Sequence, residues 1–187
     1  MLNSVGTRRK VLGIGQVFAA LILVVGLASC GSSSEYSGTE IEFSQGAFAE
    51  TLVEAQITTQ FAEIYRSVLP SLTADQVGGK TMFAPTNNAL DKYLVDNSET
   101  LEGVISKQDL ALSLVLSHLL GQEISATSLL NMNGESLAML SGATFTIDTS
   151  TGATQLGNES GLKSALIAID LVSTDGVVHI VDAVLQP

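Results

Sequence analysis

The side chains able to do chemistry are few: two histidines, His118 and His179, and one cysteine, Cys30. His179 lies in GVVHIVDAVLQP, Gly176 to Pro187, three residues before Asp182. An imidazole and a carboxylate suit general acid–base work when they reach one another. On an ideal strand, residues three apart point to opposite faces, so His179 and Asp182 are poorly placed for a dyad unless a bulge intervenes. Val177, Val178, Ile180 and Val181 leave neither face of the run polar, which predicts a strand covered on both sides. A buried imidazole there needs one donor and one acceptor for its two nitrogens, and that need is met without catalysis. His118, in LVLSHLLGQ, has no second histidine at i+3 or i+4 to make a helical metal pair. No Gly-x-Ser-x-Gly elbow, phosphate loop or calcium-loop spacing occurs, and Asp148 to Gly152 reads as a hairpin bend sooner than a cation site. Asn158-Glu159-Ser160 is a glycosylation sequon. The residues predict no catalytic group, no metal, no cofactor and no enzyme.

Cys30 has different surroundings. Arg8, Arg9 and Lys10 precede an uncharged run from Val11 to Ala28, the layout of an export signal. Leu27, Ala28, Ser29 and Cys30 then resemble the bacterial lipobox, in which the cysteine is lipidated and becomes the first mature residue. A signal peptide over 1–29 follows, with diacylglyceryl chains on Cys30 as a lasting anchor. The competing reading is an uncleaved span, since about 18 apolar residues can cross a bilayer. Thr7 to Leu12 also looks like a twin-arginine export motif. Lipidated Cys30 leaves no cysteine for an intramolecular disulfide, so the exported domain is held by its core alone. From Cys30 onward about 158 residues remain, enough to bury about two-thirds of the unfolded surface. The whole chain carries a net charge of −11; without the three signal cations it is about −14, which disfavours nucleic acid and anionic lipid heads.

Gly31 to Glu40 is small, polar and acidic, so residues 30–40 read as a lipidated flexible tether and ordered structure is expected to begin near Ile41 to Phe48. Ile57, Phe61, Ile64, Val68 and Leu69 share one helical face, stopped by Pro70. Asp75 to Lys80 is turn-like, and Thr81 to Ala84 suits a short buried strand. Thr86, after Pro85, is a helix N-cap. Asp109 to Leu120 reads as a buried helix stopped by Gly121. Ala143 to Asp148, Ser164 to Asp170 and Val177 to Leu185 are β-branched segments between glycines. Helices first and strands later, with little βαβ alternation, predict an α+β domain.

TMFAPTNNAL, Thr81 to Leu90, and GVVHIVDAVLQP together resemble the two signature blocks of the fasciclin domain. The first block is matched by Thr81, Phe83, Ala84, Pro85, Thr86, Asn87 and Ala89, with Leu90 for the final aromatic. The second is matched by Gly176, His179, Asp182, Val184, Leu185 and Pro187, with Asp175 for asparagine and Val178 for isoleucine. His118 aligns with the family's Tyr-His block, the tyrosine being Ser117 here. The resemblance covers about 41–187 and implies a wedge: a β-sandwich of roughly orthogonal sheets flanked by several helices. It also implies an adhesion and matrix-interaction role. In animal relatives integrin-facing activity has been assigned to the Tyr-His neighbourhood and to an Asp-Ile dipeptide. His118, Asp170 and Leu171 match those positions and are the candidate partner contacts, while Ser117 and Leu171 depart from the animal pattern. The plainer role for Asp170 is a strand-end carboxylate that caps the next turn.

The resulting expectation is a non-catalytic adhesion module, lipid-anchored to the bacterial cell envelope at an outer membrane, a periplasm-facing leaflet or the cell surface. Its partner is an unidentified protein or polysaccharide on a matrix or neighbouring cell, and many tethered copies would multiply weak contacts. The alternative is a carrier or sensor of a small apolar ligand, lipid or pigment, although few aromatics and no tryptophan are present to line a pocket. A structural envelope protein without a specific partner is the third.

Overall fold

A computed structural model describes residues 47–186. The signal peptide, Cys30, the tether, the expected onset at Ile41 and the closing Pro187 lie outside the described residues.

The helices come mostly first. α1 (Phe48–Glu54) and α2 (Thr59–Val68) lead into a 3₁₀ turn at Leu69–Ser71, with Pro70 near its start, and then α3 (Ala74–Val77). α2 buries Phe61, Ala62, Ile64, Tyr65 and Val68. Ile57 is not on that face: it precedes the helix and is 46% exposed. The stretch expected to be a turn from Asp75 contains a single helical turn instead, because Thr73 and Gln76 form a reciprocal capping box before Gly78 and Gly79. β1 (Lys80–Pro85) runs directly into α4 (Asn87–Asp96), followed by α5 (Leu101–Ser106) and α6 (Gln108–Ser117).

α6 stops three residues before the expected end at Leu120. His118 is its C-cap, and Leu119–Leu120 form β2, antiparallel to β1 through Met82↔Leu119 and Thr81↔Leu120. A leucine run fits a buried helix or a buried strand equally well, so periodicity alone does not mark this boundary. α7 (Ala126–Leu130) precedes β3 (Ser136–Ala138), β4 (Thr144–Asp148), β5 (Gln155–Gly157), β6 (Lys163–Ser173) and β7 (Gly176–Val181).

Among the described residues the seven strands lie in the order β2-β1-β7-β6-β5-β4-β3. β1 and β7 are parallel, with six register pairs from Lys80↔Gly176 to Pro85↔Val181; the other neighbours are antiparallel. The parallel pair joins signature blocks that lie far apart in the sequence, a contact that element order does not reveal. β7 ends at Val181, short of the expected Leu185, where its partner β1 reaches Pro85, which has no N–H to continue a ladder. β6 is longer than expected and belongs to both halves of the sheet, with register shifts between Leu166, Ala168 and Leu171. An isolated bridge from Leu120 to Met139 nearly closes the two ends.

This α+β architecture has two apolar clusters. Met82, Ala84 and Val178 face a layer built from α1, α2, α4, α5 and α6. Phe83 and Val181 face the opposite way, between the halves of the sheet, against Leu137, Phe145, Ile147 and Leu156. β1 and β7 are therefore covered on both faces, the environment in which apolar runs form parallel pairs.

Candidate functional site

His179 is fully buried. Its Nδ1 accepts the Asp170 N–H at 3.1 Å, and its Nε2 is 2.9 Å from the Ile124 carbonyl. Because an amide donates to Nδ1, the neutral ring carries its proton on Nε2 and donates it to Ile124. Thr81 holds the same loop: its hydroxyl accepts the Ile124 N–H at 2.8 Å and donates to the Gln122 carbonyl at 2.9 Å. One strand of the parallel pair thus binds the N–H of Ile124 and the other its C=O. Phe83 leans on the His179 ring at 5.5 Å between centroids.

His118, also fully buried, uses the opposite tautomer. Leu185 N–H donates to Nε2 at 3.0 Å, so Nδ1 carries the proton and donates to the Leu114 carbonyl at 2.8 Å. Its own carbonyl accepts the Phe83 N–H. The ring fastens the chain beyond β7 to the end of α6. Burial pushes the His118 pKa down to about 4, opposed more weakly by the bond to Leu114. Burial also lowers that of His179, opposed by the bond to Ile124 and the nearby Asp170 charge.

Asp170 is not at a strand end. It sits within β6 at a register shift, with φ at +56°, a left-handed conformation uncommon for a residue with a side chain. Its Oδ1 accepts the Ala126 N–H at 2.8 Å, satisfying an amide at the start of α7. Asp170 is exposed, and Leu171 is partly buried against the helical cluster. His118 and Asp170 belong to different hydrogen-bond sets, and the buried His118 is not a surface contact residue.

The remaining signature residues close the frame. Thr86 Oγ1 accepts the Ala89 N–H at 3.1 Å and caps α4. Asn87 Oδ1 accepts the Gln60 N–H at 3.0 Å, tying the starts of α4 and α2 together. Asp182 is exposed, and its Oδ1 accepts the Ala165 N–H at 2.7 Å. Gly176 has φ at +143°, and a Cβ there would overlap the Lys80 carbonyl oxygen. Reading the sequence did not identify Ile124 or Ala126, because both contribute main-chain groups that leave no side-chain signature.

Asp148 is the last residue of β4, at the mouth of the β4–β5 turn, where its Oδ1 accepts from the Ser150 N–H at 2.9 Å and the Ser150 hydroxyl at 2.6 Å. Among the described residues no group of three or more His, Cys, Asp or Glu side chains is placed to hold a metal ion, and no helix is long and apolar enough to cross a membrane. A cleft of about 390 Å³ is lined by Ser136, Ala143, Thr144, Thr146, Asn158, Glu159 and Ser160, a wall about evenly polar and apolar.

These features define a small α+β domain in which the histidines serve as internal ties. The Fasciclin domain profile matches residues 47–187, and the chain belongs to that family. Solved structures with similarity include a FAS1 domain pair from the insect cell adhesion molecule Fasciclin I, at 18% identity and a TM-score of 0.47, covering 66% of this chain and 44% of that one. The chain thus spans less than half of that pair's length. No curated protein sequence matches.

Proposed function

We propose that the protein is a non-catalytic adhesion module, moored by lipid on Cys30 to a bacterial cell envelope and working through its surface. The observation that carries this reading is the state of the two imidazoles: both are buried, and each gives both nitrogens to the main chain. Neither has a lone pair or proton left for a substrate. Family membership supports the same class of function. The exposed Asp170 and the adjoining Leu171 are the contact residues, and the partner is a protein or polysaccharide on a matrix or neighbouring cell. Lipid mooring would concentrate many copies, so each contact can be weak.

The test compares cells carrying the full chain with cells lacking it, on immobilised matrix polymers and on other cells. The full chain promotes attachment, and replacing both Asp170 and Leu171 by Ala reduces it. Cys30→Ser releases the protein from membranes with its fold intact. Equal attachment with and without the protein overturns the adhesion reading. A stoichiometric lipid or pigment in an organic extract would identify a carrier instead.

A further inference from the structure

The Asp170 segment is held in an unfavourable shape by bonds that require one protonation state. Its backbone has positive φ without the freedom of glycine, a conformation that Asp visits more readily than most residues but still at a cost that the surroundings offset. Two bonds restrain Asp170 itself: its N–H reaches His179 Nδ1, and its carboxylate reaches the Ala126 N–H. The first exists only while Nδ1 keeps its lone pair. Ladder pairing does not replace it, because the register of β6 on β7 shifts between Ala168 and Leu171.

We propose that His179 is the positioning residue of the Asp170–Leu171 segment and that protonation of its ring releases that segment, making the contact face sensitive to acid. This rests on the contact role given to Asp170 and Leu171 above. A proton added at Nδ1 turns an acceptor into a donor facing the Asp170 N–H, so that bond is lost. The new N–H is drawn to the Asp170 carboxylate, which must then leave the Ala126 amide or share itself between the two. Either choice loosens the start of α7 and the bulge of β6. The Nε2 proton stays on the Ile124 carbonyl, leaving the ring a pivot.

Among the described residues the charges around the ring are few. β6 supplies Asp170, and the loop bearing Ile124 supplies Glu123, which is exposed. β1 presents Phe83, and α7 holds no charged residue. Asp182, beyond the end of β7, is exposed and bonded to Ala165. Asp170 is therefore the anion placed to receive the protonated ring.

Amide hydrogen exchange on the full chain in detergent, corrected for intrinsic rates, tests this between about pH 7.5 and about pH 5. Segments containing Asp170 and Ala126 should lose protection by about tenfold or more while α2 and β1 keep theirs. Constant protection, or a fall shared by the whole domain, would overturn the proposal. His179→Gln supplies a side chain that does not titrate, and its local exchange should lose the pH dependence. Should that variant not fold, Asp170→Asn keeps the backbone donor and removes the receiving charge. Its local opening should then move to lower pH, and an unchanged midpoint would count against the device. Exchange needs no partner, so failed attachment with acid opening intact refutes only the adhesion reading. Attachment that depends on Asp170 with flat exchange refutes only the latch.

Discussion

The seam around β1 and β7 leans more on long-range polar bonds than the lobe of β3, β4 and β5 does. In the seam, Thr81, His118, Asp170 and His179 bond to groups 43, 67, 44 and 55 residues away in sequence. In the lobe, Asp148 bonds to Ser150 two residues on, and Asn158 Oδ1 takes the Leu162 N–H four residues on, while Asn158 Nδ2 donates to the Gln186 carbonyl 28 residues away. A long-range bond to a buried partner leaves an orphan when broken, whereas a local bond in an exposed turn is readily replaced by water. The seam therefore tolerates little change, and the lobe can vary its surface without losing the fold. Phe145, Ile147 and Leu156 supply the lobe's apolar attachment from the other face of its strands.

The largest effect should come from Gly176→Ala. The added carbon meets the Lys80 backbone inside the parallel pair, where neither strand can retreat without leaving its ladder. A loss of about 4 kcal/mol or more, read by urea unfolding, is the expected result. An unmoved midpoint would break the view of the seam as intolerant.

Acid gives the next effect. His118 stays neutral in the fold down to about pH 4, while in the unfolded chain it binds a proton near pH 6.5. Its depressed pKa makes stability complete above the unfolded value and progressively lost as pH falls toward the folded one. Over that window the cost approaches about 3 kcal/mol for this group. A histidine proton titration by NMR checks it: a folded-state midpoint near that of a free imidazole would refute the buried, backbone-bound ring.

The smallest contrast pairs a cap with a turn. Thr86→Val removes the acceptor for the Ala89 amide and should cost about 1 kcal/mol. Asp148→Asn retains an oxygen for Ser150 and should leave the melting temperature where it was. A larger effect in the turn than at the cap would reverse the ranking of the two regions.

Much of the seam is legible in the residues. An apolar run around His179 implies burial, burial implies a satisfied ring, and Thr86 before a helical stretch implies a cap. The identity of the ring's partners is not legible, because the Ile124 carbonyl and the Asp170 amide are groups every such residue has. Asp170 itself reads as a strand-end cap from its neighbours in sequence. Only the bulge places it within β6 and turns its carboxylate to the first amide of α7. The leucines after His118 show the same limit, with helix and strand both burying them and β1 deciding where one becomes the other.

By itself the sequence determined the class of domain, the burial of both histidines and the cap at Thr86, since each follows from local pattern and the cost of an unsatisfied polar group. Tertiary structure decided the parallel meeting of the two signature blocks, the tautomer of each ring and the strained setting of Asp170. The physical reason is that these depend on which distant main-chain groups arrive beside a side chain, and main-chain groups are the same in every sequence.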